Sequence, residues 1–167
     1  PKCENLVTIL GLLSTIVSAK LAINLAIFAI MQIALVVYPH ILATSLTLPA
    51  EMLAAAREHA LLRQRRTEAL QLDYVSLDGG VYPSRSGLPI ATQQINPNKK
   101  YDAILLPALW RNPLPVLRQQ AALLPWLTAQ AANGTILAAV GTGVYFLAEA
   151  GLLEGKPATT HWFYLKA

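Results

Sequence analysis

The sequence predicts an α/β domain built on a doubly wound, mainly parallel sheet. Three observations carry that prediction. The short apolar runs "MQIALVV", "YDAILLP" and "TILAAV" have the unbroken hydrophobicity of strands covered on both faces. Segments with helical spacing of apolar residues lie between them, as alternating α/β topology requires. At "AAVGTGVYFLAEA" a strand turns through Gly-Thr-Gly into a helix, a corner at which α/β folds commonly place chemistry.

The first element, "MQIALVVYP", is stopped by Tyr-Pro and is expected to be the central strand. After the loop "HILATSLT", Pro49 suits the first turn of a helix, and Met52, Leu53, Ala56 and Ala60 line one side at helical spacing, which predicts a helix over 48–63. "LQLDYVSLD" alternates apolar and polar residues before Gly79-Gly80, giving a second strand and a turn. "VYPSRSGLPIAT" reads as a small hairpin. "YDAILLPA" is a further buried strand, ended by Pro107 and leading into "LWRNP". "LPVLRQQAALLPWLTAQAANG" holds two helical pieces, the second started by Pro125 and ended by Asn133-Gly134. "TILAAV" is the next buried strand, and the corner then opens a helix over 142–152, closed by Gly155. The order is β-α-β-hairpin-β-α-β-α with right-handed crossovers. Ligands of such sheets bind at the carboxyl ends of strands, here residues 38–45, 107–112 and 141–143.

A chain of 167 residues suffices for one such domain. Its composition, 54% hydrophobic and 13% charged, directs attention to residues 6–38, a nearly continuous apolar stretch broken by Lys20, Asn24 and Gln32. A secretory signal would use Lys2 as its basic start and Val17-Ser18-Ala19 before cleavage. A membrane span would need about twenty apolar residues, and Lys20 divides the run into shorter pieces. The preferred reading is an apolar extension over 1–30, ahead of a natural start at Met31, with the domain proper over 31–167. Cys3 is the only cysteine, so an internal disulfide is excluded, and cysteine chemistry is not expected. The net charge of +4 is modest, and Arg63, Arg65 and Arg66 lack interleaved aromatics, which suits a solvated helix end better than a nucleic-acid surface. The expected location is cytoplasmic.

"IALVVYP", "YDAILLPALW" and "WLTAQAANGTILAAVGTGVYFLAEAGLLEGKPATTHW" resemble the PfpI-like branch of the class I glutamine amidotransferase superfamily, and more narrowly the N-terminal domain of GlxA-type regulators of the AraC/XylS family. The resemblance runs from Met31 to Ala167. It implies a flavodoxin-like sheet, incomplete at the C-terminal end of the chain, and a helix-turn-helix module following residue 167. In enzymatic members a cysteine stands at the corner, where a helix N-terminus lowers its pKa and backbone N–H groups hold an oxyanion. Gly141 occupies that position here, and Ser45 the position of the acidic partner. His161 remains, as a structural or ligand-contacting residue, and Trp110 stands where the enzymes have a glycine-rich loop.

The resemblance therefore implies a non-catalytic domain that senses a small effector, such as an amine or amino-acid derivative. The expected ligand-binding residues are Gly141, Thr142, Gly143, His161, Trp110 and Ser45, with the Thr142 and Gly143 N–H groups offering an anion site. Neither cofactor nor metal is expected. The expected partners are the effector, a second copy in a homodimer, and DNA reached only through the further module. The competing readings are a cysteine-dependent hydrolase or hydratase of the same superfamily, which needs a nucleophile at 141, and a membrane-anchored or secreted binding protein using residues 5–38.

Overall fold

A computed structural model of the chain describes residues 30–64 and 70–160. Cys3, Arg65, Arg66, His161 and nearly all of the N-terminal extension lie outside the described residues. The chain divides into compact units between Ile30 and Met31, and the sheet lies wholly in the second.

β1 (Met31–Val36) is the central strand, as its apolar sequence predicts: Ala34, Leu35 and Val36, and Val37 and Tyr38 just beyond it, are buried completely or nearly so. Helix α1 (Ala43–Gln64) follows, then β2 (Leu70–Ser76). β3 (Val81–Pro83) and β4 (Pro89–Ala91) form the expected antiparallel hairpin, and the short β5 (Gln93–Gln94) returns to the sheet. β6 (Ala103–Leu106), α2 (Leu114–Gln119), α3 (Leu123–Ala132), β7 (Ile136–Ala139) and α4 (Val144–Glu149) complete the order. The five-stranded sheet runs β5-β2-β1-β6-β7 with every pair parallel. The chain builds outward from β1 to β2 and β5, then crosses back to β6 on the other side. The switch in strand order thus falls between β1 and β6, where doubly wound sheets open a crevice at their carboxyl edge.

Two helices differ from the sequence reading. α1 begins five residues earlier than expected, so Pro49 sits inside it rather than at its start. Proline has no N–H for the Ser45 carbonyl, a cost the helix tolerates because Leu46, Ala50, Leu53 and Ala60 are all buried along one stripe. At the corner, residues Gly141–Gly143 form a 3-10 turn, and α4 is only the six residues Val144–Glu149. Its end comes at Gly151 rather than Gly155. Gly151 has φ +69, its N–H bonds the Ala148 carbonyl, and the Leu152 N–H bonds that of Leu147, the paired pattern of a glycine-terminated helix. The second helical piece fits better: Asn133 caps α3 and Gly134 follows at φ +83.

The core gathers β1 and β6 with Leu123, Trp126 and Leu127 of α3 and Phe146 and Leu147 of α4. The Phe146 ring lies 4.7 Å from that of Tyr38, and Trp126 meets Tyr101 edge-on at 6.3 Å. Polar groups brace the amino edge. Asp73, buried on β2, pairs with Lys99 and accepts from the Tyr101 hydroxyl at 3.1 Å. Gln130 of α3 accepts from the Tyr101 N–H at 3.2 Å and donates to the Lys99 carbonyl at 2.7 Å.

Candidate functional site

The carboxyl edge of the sheet is closed by loops laced to one another through backbone hydrogen bonds. After β1 the chain passes through Tyr38, Pro39 and His40; after β6 it passes through Pro107, Ala108 and Leu109. Ile41 and Leu109 form an antiparallel bridge, flanked by Leu42 N–H to the Ala108 carbonyl at 2.9 Å and Trp110 N–H to the His40 carbonyl at 3.1 Å. Paired residues in such a ladder share a face and alternate along the strand. Ile41 and Leu109 accordingly point into the core and are buried, while His40 and Trp110 stand outside, Trp110 with 45% of its surface exposed. The tip of the hairpin joins the same lacing, because the Arg85 N–H donates to the Ile41 carbonyl at 2.9 Å.

Side-chain hydroxyls pin the post-β6 loop from both sides. Ser45, in the first turn of α1, accepts from the Ala108 N–H at 2.9 Å and donates to the Leu42 carbonyl at 2.7 Å. Thr142, in the turn after β7, accepts from the Leu109 N–H at 2.8 Å and donates to the Leu109 carbonyl at 3.0 Å. The Tyr38 hydroxyl donates to the Pro107 carbonyl, and its complete burial raises its pKa well above the usual tyrosine value. Tyr38 is therefore a fixed, neutral donor.

The corner itself is tight. Gly141 has φ +52, a left-handed conformation that costs a residue with a Cβ, yet a Cβ there would meet only the Ala108 methyl at 3.5 Å. Gly143 has an ordinary helical φ, but a Cβ there would lie 2.5 Å from the Leu106 carbonyl oxygen and 2.6 Å from that of Pro107. Glycine at 143 answers close backbone approach, and glycine at 141 answers backbone rotation. The Gly141 carbonyl accepts from the Thr160 hydroxyl at 3.2 Å, which brings the segment before residue 161 to the corner.

Of the residues singled out from sequence, Ser45, Thr142, Gly141 and Gly143 converge on residues 106–109. The expected anion site at the corner needs correction in one respect. The Gly143 N–H donates to the Val140 carbonyl at 2.9 Å within the 3-10 turn, so it is committed to the fold. The hydroxyls of Ser45 and Thr142 are likewise occupied by loop backbone. Trp110 lies at the rim. His40 and Arg111 fall within the strand ends 38–45 and 107–112 expected to bind ligand but were not singled out, and Arg85 was not expected there; the lacing brings all three to the same rim, and His40 and Arg111 both have φ 64. No local motif marks them, since the ladder that joins them spans residues far apart in sequence.

Asp78 closes the base of the hairpin. Its carboxylate accepts from the Tyr82 hydroxyl at 2.7 Å and the Gly80 N–H at 3.0 Å, and these bonds, Tyr82 foremost, lower its pKa. Among the described residues no cluster of His, Cys, Asp or Glu could hold a metal ion, and no helix is long and apolar enough to cross a membrane.

Parallel sheet, switch point and glycine corner define a flavodoxin-like domain with a sharp strand-to-helix elbow. Residues 31–167 match the DJ-1/PfpI family model, and the chain belongs to that family. The HTH-type transcriptional regulator CdhR of Pseudomonas aeruginosa is 36% identical over 89 residues, which are 53% of this chain and 26% of that protein. The chain thus spans about a quarter of the length of the curated relative it matches. An AraC family transcriptional regulator from Pseudomonas putida has a similar structure, with TM-score 0.68 and 25% identity over 81% of this chain and 69% of that one. A protein from Vibrio parahaemolyticus described as a transcriptional regulator gives TM-score 0.71 at 20% identity, covering 82% of this chain and 70% of that one. At that identity the likeness concerns the fold.

Proposed function

We propose that residues 31–167 are the regulatory, ligand-sensing and dimerising domain of a cytoplasmic AraC-family transcription regulator, without catalytic activity, and that DNA is contacted by a separate helix-turn-helix module. The observation that carries this reading is Gly141. It stands at the elbow with φ +52 and has no side chain to act as a nucleophile, and the resemblance of the sequence around it implies that this is where the superfamily's enzymes carry their cysteine. The regulator relatives support a regulatory role for such a domain. A family frame that keeps its elbow and lacks a nucleophile suits binding, and occupancy of the crevice would shift the domain between conformations of different affinity for its partner copy.

A thermal-shift screen with small amines, amino acids and their derivatives tests the sensing role. The expected result is stabilisation by at least one class of compound, abolished when Gly141→Leu fills the corner. Thiol-dependent turnover of small amides or aldehydes by the native chain would overturn the non-catalytic reading. Sedimentation with and without the stabilising compound tests dimerisation.

A further inference from the structure

We infer that the ligand taken at this corner bears an anionic group, carboxylate or phosphate, received by Arg85 and Arg111 at a rim they share with His40 and Trp110. The inference rests on the sensing role proposed above and specifies the chemistry of the ligand.

The rim is assembled from three separate loops by two backbone hydrogen bonds. The Arg85 N–H reaches the Ile41 carbonyl at 2.9 Å, and the Trp110 N–H reaches the His40 carbonyl at 3.1 Å. His40, Arg85 and Arg111 are therefore each at, or one residue from, a member of those bonds, and all three are exposed. Residues 38–45, 84–88, 107–112 and 140–145, which surround the crevice, contain no Asp or Glu. Neither arginine has an ion-pair partner among the described residues. The aspartates are held elsewhere: Asp78 is bonded at the opposite end of the hairpin, Asp73 is paired with Lys99 at the amino side, and Asp102 accepts from the Gln32 N–H at 2.9 Å. The crevice mouth consequently carries positive charge that the described fold leaves uncompensated, which draws an anion and repels a cation.

Backbone conformation supplies a second, independent observation. His40 and Arg111 are the non-glycine residues with positive φ among those described: the His40 carbonyl accepts the bond from Trp110, and Arg111 directly follows Trp110. Left-handed conformation at such residues is unfavourable and concentrates at binding and catalytic sites. Here it falls at the start of the laced residues 40–42 and just after the laced residues 108–110. The guanidinium fork matches carboxylate and phosphate oxygens in pairs, and the exposed Trp110 face offers apolar cover beside them.

Isothermal titration of the full chain at low ionic strength with succinate, inorganic phosphate and succinamide tests the inference. The expected result is binding of succinate or phosphate, with no heat from the uncharged diamide; which anion binds identifies the group. Arg85→Gln and Arg111→Gln should each weaken that binding about tenfold. Because both side chains are exposed, urea unfolding of the variants should match that of the parent chain, so a loss of affinity reports the rim rather than the fold. Absence of binding by both anions, equal binding of succinamide, or undiminished binding by the double variant would each overturn the inference, as would displacement of the anion by duplex DNA. If a neutral or cationic compound stabilises the chain, is blocked by Gly141→Leu and ignores both arginine substitutions, the charge assignment fails while the sensing role stands. Thiol-dependent turnover would instead remove the sensing role.

Discussion

Gly143→Ala should destabilise the domain far more than Gly141→Ala, although Gly141 has the rarer backbone conformation. At 143 the new methyl would lie 2.5 Å from the Leu106 oxygen and 2.6 Å from the Pro107 oxygen, both backbone atoms that cannot rotate away. Relief requires the turn or the 106–107 segment to move by roughly half an ångström or more. Those two oxygens also accept from the Val140 N–H at 2.9 Å and from the Tyr38 hydroxyl, so movement strains both bonds. Overpacking costs about 1–3 kcal/mol and each weakened hydrogen bond about 1 kcal/mol, for a total of roughly 3–5 kcal/mol. At 141 the methyl has space, with Ala108 Cβ at 3.5 Å. The left-handed conformation costs roughly 1–2 kcal/mol, and the stiffer unfolded chain returns about 0.4–1 kcal/mol. The net is about 1 kcal/mol. Urea unfolding followed by the fluorescence of buried Trp126 measures both variants, and the contrast should appear in the midpoint with an unchanged slope. Equal midpoints for the two variants would falsify the assignment of Gly143 to close backbone approach.

Thr142→Val should cost roughly 1–3 kcal/mol in the same unfolding assay, because it strips the Leu109 N–H and carbonyl of their shared partner inside a buried site, and Thr142→Ser should restore most of the loss. At alkaline pH, tyrosinate absorbance of the folded chain should leave Tyr38 and Tyr101 un-ionised beyond the ordinary value of about 10, since burial raises both and the Asp73 charge raises Tyr101 further. A pKa raised on folding gives stability that is complete below the unfolded value and is lost as pH rises through the folded one, so the domain should weaken progressively above about pH 10. Full titration of every tyrosine at the ordinary pKa with the fold intact would contradict that burial.

Much of the fold is legible because burial on both faces leaves an unbroken apolar signature. β1 and β6 announce themselves in this way, and the central place of β1 follows from it; β7 carries the same apolar signature and was expected to be buried, but it lies at the sheet edge with all four residues only half-buried. The start of α1 is less legible, since Pro49 imitates a helix start and only the buried stripe of Leu46, Ala50 and Leu53 shows that the helix begins earlier. The corner is legible as Gly-Thr-Gly, but the need for glycine at 143 depends on the carbonyls of Leu106 and Pro107, far away in sequence, and that at 141 on a backbone rotation. β5, two residues long, carries too little pattern to find. Arg85, His40 and Arg111 were invisible as a group because only the bridge between Ile41 and Leu109 and the hairpin contact bring them together.

The lacing of the crevice loops is made of main chain. Bonds from Leu42 to Ala108, Trp110 to His40 and Arg85 to Ile41 need no particular side chain at either end. The residues that face outward from this frame are thus interchangeable fittings on a fixed mount: their identities can drift from one family member to another while the mount keeps its shape. Chemistry at the rim can be exchanged without rebuilding the sheet beneath.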